Sequence, residues 1–303
     1  MDDKQRKAAQ KRKKKVIILS IFVAVLLFGV GIFFSLNPTL YKAVVNANFD
    51  GLDNYVKFID CGMADCMLIK SGDSAALIDT GDIKDNAQAV LTSLKKSNIA
   101  SFDYIFISHP HTDHLGGVSK ILENYKVKSA VIPPIEEFTN AGTELASLTY
   151  KTLCDKCECQ TVAAGQSYTV GEFTVDIIYY STEFEDINDH SAVYRVSAFG
   201  KTLLTMGDSG FETEDELLYG NYNIKAYFYK LSHHGSDTSN DFGFIETVAP
   251  AVIICSAQDS QYLRGELSQM AKSFSGTQIF STFQNGSITI CFDNDGYTVK
   301  TDK

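Results

Sequence analysis

The run Ser108-His109-Pro110-His111-Thr112-Asp113-His114-Leu115-Gly116-Gly117 places three of the six histidines and one aspartate within six residues. Neutral imidazole is the commonest protein ligand for zinc, and a neighbouring carboxylate suits the same cation. The spacing therefore predicts side chains that converge on one or two shared metal ions. A second concentration follows at Lys230-Leu231-Ser232-His233-His234-Gly235-Ser236. Two more carboxylates stand in glycine-bearing turns, Leu77-Ile78-Asp79-Thr80-Gly81 and Thr205-Met206-Gly207-Asp208, and the remaining histidine is His190 in Asn188-Asp189-His190-Ser191.

Side chains of this kind need rigid elements behind them. Tyr55 to Ile59 alternates on a period of two, and Met67 to Ile69 and Ala75 to Ile78 are short apolar runs bounded by Gly and Asp; all three read as neighbouring strands. Ala87, Val90, Leu91 and Leu94 recur at helical spacing. Tyr104 to Ile107 reads as a strand that runs directly into the histidine cluster, with Gly116 and Gly117 letting the loop turn tightly into the next helix. A helix is expected near Thr143 to Leu153. Strands are expected near Phe173 to Tyr179, Ala192 to Ala198, Lys201 to Thr205, Ala226 to Leu231, Ala251 to Cys255, Gln278 to Ser281 and Ser287 to Cys291. Strand clusters interrupted by single helices, and then repeated, predict an α/β chain of two packed sheets with helices outside.

The pattern His109-x-His111-x-Asp113-His114 resembles the signature of the metallo-beta-lactamase superfamily, and the resemblance runs over roughly residues 53 to 300. Asp79 with Gly81, Gly207 with Asp208, and the His233-His234-Gly235-Ser236 element follow in family order. The last is similar to one branch, the extracellular hydrolase domain of bacterial competence (DNA-internalisation) proteins. Val56 to Asp60, Asn188-x-x-Ser191-Ala192-Val193 and Thr282-x-x-x-Gly286-Ser287-Ile288 extend that likeness. The resemblance implies an αββα four-layer sandwich with two divalent metal ions, Zn or Mn, at one edge. By the same likeness His109 and His111 hold one ion, Asp113, His114 and His234 hold the other, and Asp208 bridges them. Asp79 is implied to be an acceptor behind the ligand histidines. Asn188 and His190 are implied as further metal or substrate contacts, His190 as a third histidine for the first ion. Asp113 and His233 are the implied catalytic groups, with His233 either touching the substrate and protonating the leaving group or simply neighbouring the metal. Two departures stand out: Gly62-Met63-Ala64-Asp65 replaces the branch's Gly-Gln-Gly-Asp, and Ser256 to Arg264 lacks its His-Pro.

Two such cations can hold a bridging hydroxide nucleophilic at neutral pH and clamp a phosphoryl centre, so hydrolysis is the expected reaction. The branch resemblance points to a phosphodiesterase or nuclease acting on DNA or an envelope polymer. Hydrolysis of a lactam, lactone or other ester, and metal-dependent binding with weak catalysis, are the rival readings.

Val16 to Leu36 is a stretch of 21 residues without a charge, preceded by fifteen residues that carry eight Lys or Arg against two Asp. At about 1.5 Å per residue it spans a bilayer core. The expected organisation is a basic cytoplasmic tail at 1–15, a retained signal anchor at 16–36, a stalk at 37–52 and the hydrolase domain at 53–303. The positive-inside rule then places that domain outside the cytoplasm, in a single-pass protein of a Gram-positive-like envelope. The formal net charge is -10, so with +6 in the first fifteen residues the remainder carries -16. That balance excludes a uniformly basic nucleic-acid-binding surface. The seven cysteines suggest no disulfide framework, and the Cys154-x-x-Cys157-x-Cys159 cluster reads as a local disulfide, free thiols, a metal clip or a functional element. No protein partner is inferable.

Overall fold

A computed structural model of the chain describes residues 53–82, 86–258, 276–294 and 296–303. The expected tail at 1–15, anchor at 16–36 and stalk at 37–52 lie outside the described residues, as do residues 259–264 of the Ser256 to Arg264 stretch. Among the described residues no helix is long and apolar enough to cross a membrane.

The first sheet begins with β1 (Asn54–Phe58), β2 (Met67–Ser71), β3 (Ser74–Ile78), β4 (Ser101–Phe106), β5 (Lys126–Ile132) and β6 (Glu158–Thr161). The second is formed by β7 (Ser167–Val170), β8 (Phe173–Tyr179), β9 (Val193–Ala198), β10 (Lys201–Thr205), β11 (Phe228–Lys230), β12 (Val252–Cys255) and β13 (Gln278–Ser281). The chain then returns through β14 (Ile288–Asp293) and β15 (Gly296–Thr301) to the first sheet, where β14 pairs antiparallel with β1. Among the described residues the sheets have eight and seven strands.

Three apolar layers hold these sheets. Phe58, Ile69 and Phe106 of the first sheet meet Val175, Tyr194 and Phe228 of the second in the central layer. On the outer face of the first sheet, Leu68, Leu77 and Ile105 pack under Leu94 of the helix Asn86–Lys96, Ile121 of Val118–Asn124 and Leu153 of Glu144–Lys156. Leu204, Tyr229 and Ile253 of the second sheet pack likewise under Leu217 of Phe211–Tyr219 and Phe244 of Phe242–Val248. This is the four-layer αββα arrangement. Strands covered on both faces carry near-continuous apolar runs, as in Val252–Cys255, whereas β8 alternates buried and half-buried side chains along Phe173–Tyr179.

Parallel pairing is what creates a functional edge. β3, β4 and β5 run parallel in one sheet and β10, β11 and β12 in the other. The chain therefore leaves Ile78, Phe106, Thr205, Lys230 and Cys255 at strand ends that carry Asp79, Ser108, Asp208, Ser232 and Ser256 just beyond them. The carboxyl ends of parallel strands are where α/β sheets leave room for ligands.

Candidate metal centre

Backbone hydrogen bonds tie five loops at that edge. Thr80 donates its N–H to His114 O at 2.6 Å, Asp65 donates to Asp113 O at 3.1 Å, Gly81 donates to Asp65 O at 2.7 Å, and His233 donates to Gly207 O at 3.1 Å. The loop turns into the next helix at Gly116 and Gly117 with both residues right-handed helical. Gly117 is required for proximity: a Cβ there would stand 2.0 Å from Thr80 O. Gly207 does adopt the left-handed region, at φ 54°, with Ser108 and Ser191 where a side chain would go. Asp79 (φ 59°), His233 (φ 47°) and His234 (φ 54°) share that region without being glycine. Such backbones cost on the order of 1–3 kcal/mol each and persist where surrounding bonds over-determine them.

The side chains then converge. His114 Nδ1 lies 2.8 Å from Asp79 Oδ2, and Ser108 fixes the same carboxylate by donating its N–H to Oδ1 and its Oγ–H to Oδ2, both at 2.8 Å. The Nδ1 proton of His114 points at that carboxylate, so Nε2 faces forward, 3.1 Å from Asp208 Oδ1 and 3.7 Å from Asp113 Oδ2. His234 repeats the arrangement. Its Nδ1 donates to Ser256 O at 3.1 Å, and Nε2 lies 3.2 Å from Asp113 Oδ2 and 3.6 Å from Asp208 Oδ2. His109 Nε2 and His111 Nδ1 meet at 3.0 Å, and Ser108 Oγ sits 3.1 Å from the other nitrogen of His109.

Burial is the largest influence on His109 and His111 and pushes both below the ordinary imidazole range, into the neutral form that ligates. Burial also opposes a charge on His114 and His234, but Asp208, with Asp79 for the first and Asp65 for the second, overcomes it and holds both above that range. Burial works against the Asp208 carboxylate too, and His114 and His234 prevail, keeping it well below the usual carboxylate range. Asp113 is held low in the same way, chiefly by His114. Asp79 moves the other way, because burial pushes its carboxyl up. Lys230 is buried, yet Asp65 and Asp208 hold its ammonium above the ordinary lysine range. Asp65 and Asp208 thus act on one buried ammonium, with Asp79 and Asp113 beside the histidines of the same edge.

Several buried atoms of this cluster are left unsatisfied. His114 Nε2 and Asp208 Oδ1 are buried with no hydrogen-bond partner although they face each other, and Asp65 Oδ1 is in the same condition. Buried polar atoms are rarely left so, and a cation between His114 Nε2 and Asp208 Oδ1 satisfies both of them. Asp65, His114, Asp208 and His234 each offer a ligand atom within 4.8 Å of the others. The residues fit a divalent metal, and imidazole with carboxylate suits Zn and Mn alike.

Of the residues picked from the sequence, His109, His111, Asp113, His114, Asp208 and His234 all meet at this edge, with Asp79 behind His114. Asn188 lies beside His111 and favours its charged form, and the Asn188 Oδ1 is buried without a hydrogen-bond partner. His233 stays at the rim with its side chain 31% exposed, Nδ1 3.1 Å from Thr238 Oγ1 and Nε2 3.9 Å from Asp208 Oδ2. His190 does not join them. The 3-10 turn Ile187–His190 rotates it away, its Nδ1 bonds the Glu137 carboxylate and its Nε2 lies 2.8 Å from Phe184 O, so neither nitrogen is free for a metal. The seven cysteines are free thiols. Asp65 was missed as a functional residue; the signal was present, since it ends the Gly62-Met63-Ala64-Asp65 turn.

Residues 59–151 match the model of the metallo-beta-lactamase superfamily. Competence protein ComA of Neisseria gonorrhoeae is 25% identical over 203 residues, which cover 65% of this chain and 26% of that protein. ComE operon protein 3 of Bacillus subtilis (strain 168) is 25% identical over 269 residues, 79% of this chain and 33% of that protein. The chain therefore spans a third or less of the length of these relatives. Among solved structures, the metallo-beta-lactamase fold protein YhfI from Bacillus subtilis aligns with a TM-score of 0.51 at 14% identity, over 76% of this chain and 96% of that one. CmlA, a diiron beta-hydroxylase from Streptomyces venezuelae, aligns with a TM-score of 0.50 at 10% identity, over 80% of this chain and 54% of that one. The two structures speak for the fold alone, and a hydroxylase among them illustrates that this fold does not choose the reaction. Residues 59–151 thus carry the metallo-beta-lactamase match, and the chain has homologues among the competence proteins at about 25% identity.

Proposed function

We propose that the chain is a membrane-anchored, extracytoplasmic phosphodiesterase or nuclease that works with two divalent metal ions. The observation that carries this reading is the pair of buried atoms without hydrogen-bond partners, His114 Nε2 and Asp208 Oδ1, ringed by His109, His111, Asp113 and His234. Ions held there would act as Lewis acids toward a phosphoryl centre and make water acidic enough to attack at neutral pH. The protein's own part is placement. Asp79 and Ser256 accept the Nδ1 protons of His114 and His234, which leaves Nε2 of each to face an ion that would be held there, and Ser191 Oγ accepts the Asp208 N–H at 3.1 Å and fixes that residue's backbone.

Half-exposed His111, Asp113 and His233 form the open side from which a substrate approaches. Thr238 occupies Nδ1 of His233, which leaves Nε2 to give a proton to the leaving oxygen. The likeness to competence proteins supports a phosphodiester, DNA or an envelope polymer, as the bond cleaved, and the acidic body favours the smaller or envelope substrate. The uncharged stretch Val16 to Leu36 and the basic block before it support the anchor and its orientation.

The purified protein, loaded with Zn or Mn, is to be assayed against bis-p-nitrophenyl phosphate, linear DNA and a chromogenic cephalosporin. Hydrolysis of a phosphodiester with the cephalosporin left intact is the expected result. Turnover of the cephalosporin would replace the reading with a lactam hydrolase, and no turnover by the fully metallated protein would leave a binding protein. Protease added to intact cells should degrade the domain, and its protection would reverse the topology.

A further inference from the structure

Asp65 and Lys230 form a buried ion pair that the reaction itself does not need. Asp65 is 4% exposed and Lys230 3%, and the Lys230 Nζ contacts Asp65 Oδ2 while donating to Leu231 O at 3.0 Å. Burying two charges costs several kcal/mol per ion before their attraction is counted, so such a pair is a poor way to gain stability alone. Its position suggests what it does. Asp65 Oδ1, the oxygen that Lys230 leaves free, has no hydrogen-bond partner and lies 3.7 Å from Nδ1 of His234, whose other nitrogen faces Asp113 and Asp208. Asp79 stands in the corresponding place behind His114, at 2.8 Å from Nδ1. Asp65, Asp79, Lys230 and Ser256 line one cavity of about 10 Å³ together with Phe58, Met67 and Ile78, so the groups behind the two imidazoles share one space.

The two carboxylates are secured by different means. Ser108 holds Asp79 with two hydrogen bonds. Asp65 has its backbone tied to Asp113 and Gly81, but its side chain depends on Lys230. Lys230 is the last residue of β11, and Ser232, His233 and His234 follow it directly, so one strand end delivers both the histidine and the cation that fixes the carboxylate behind it.

We propose that Lys230 is a positioning residue that holds Asp65 behind His234, so that the Asp65–Lys230 pair sets how tightly His234 binds its metal ion. The inference rests on the reading of His114, Asp208 and His234 as metal ligands. Replacing both partners avoids stranding a buried charge, so the Asp65→Asn, Lys230→Met double variant should keep its fold and melting temperature. Its zinc affinity, measured by chelator competition on the full chain, should fall about 10- to 100-fold, the usual effect of removing a carboxylate that supports a ligating histidine. The visible absorption of the cobalt-loaded protein should also shift, which a pair with a purely structural role would not cause. Asp65→Asn alone carries the same expectation for affinity and spectrum, so the test stands even if the double variant does not fold. Zinc affinity and cobalt spectrum equal to wild type in either folded variant overturn the proposal. A wild-type protein that binds no zinc overturns the metal reading beneath it, and the two failures are told apart by that one measurement.

Discussion

The Nδ1–H of His114 meets Asp79 Oδ2 at 2.8 Å, and this contact aims His114 Nε2 at Asp208 Oδ1, 3.1 Å away. Asp79 reaches the ring only because its own backbone bends into the left-handed region at φ 59°, one residue past β3. Asparagine tolerates that region, so Asp79→Asn preserves the turn while removing the charge behind the imidazole. The expected outcome is a folded protein whose metal affinity is weakened about 10- to 100-fold, read by chelator competition beside a melting curve. Unchanged affinity would remove Asp79 from the list of residues that orient His114.

His190 tests the opposite expectation. Its ring bridges the Glu137 carboxylate and Phe184 O, with Glu137 3% exposed. His190→Ala should keep the full metal complement and lose stability instead, by about 1–3 kcal/mol, the cost of stranding a buried polar group. Elemental analysis and thermal melting separate the two effects; loss of metal would return His190 to the ligand set.

The contrast between these residues explains what was legible before the fold was known. His109, His111, Asp113 and His114 share one loop after one strand, so residue type and spacing alone brought four site residues together. Asp208 and His234 could be read because each sits in a short turn of distinctive composition. Asp65 was marked only as the end of the Gly62-Met63-Ala64-Asp65 turn, and its place in the site depends on Lys230 and His234 arriving from the other sheet. His190 misled because sequence adjacency to Asn188 says nothing of the 3-10 turn that rotates the two apart. The strands that escaped notice fail for local reasons. β6 and β15 are sheet edges that leave much of Glu158–Thr161 and Gly296–Thr301 exposed, β7 is a four-residue edge, and β5 opens with charged Lys126 and Lys128. Apolar runs mark strands covered on both faces, and edge strands lack them.

Glu214 gives the fold a pH dependence of known sign. It lies on the helix Phe211–Tyr219 and accepts the N–H groups of Asn240 and Asp241, and Asn240 in turn binds the N–H and carbonyl of Ser232 beside the histidine pair. Burial pushes its carboxyl from 4.5 up to about 7 against those two hydrogen bonds, with Asp241 and Asp189 adding to the rise. A carboxyl raised in the folded state favours folding fully below its unfolded value, and that contribution is lost as the pH climbs through the folded one. The loss between these limits is on the order of 3 kcal/mol. The melting temperature of the wild type should therefore fall from pH 5 to pH 8, and Glu214→Gln should flatten that fall. A parallel decline in both proteins would assign it to other groups.

The adjacent histidines of the turn Ser232–Gly235 should part company in solution. Both stand in the left-handed region, at φ 47° and 54°, which throws the rings apart to centroids 6.4 Å from each other. His234 is 3% exposed and turns Nε2 toward Asp113 and Asp208, whereas the His233 side chain is 31% exposed and touches Thr238. His234→Ala should accordingly lose metal and activity together. His233→Ala should retain its metal and lose mainly kcat, by about 10²- to 10⁴-fold, the range a positioned acid or base contributes. The loss should be smaller for a substrate whose leaving group needs no proton, so comparing p-nitrophenyl with alkyl phosphodiesters tests the proton transfer itself. Equal losses on both substrates would make His233 a binding group, and loss of metal from His233→Ala with retention in His234→Ala would exchange the two roles.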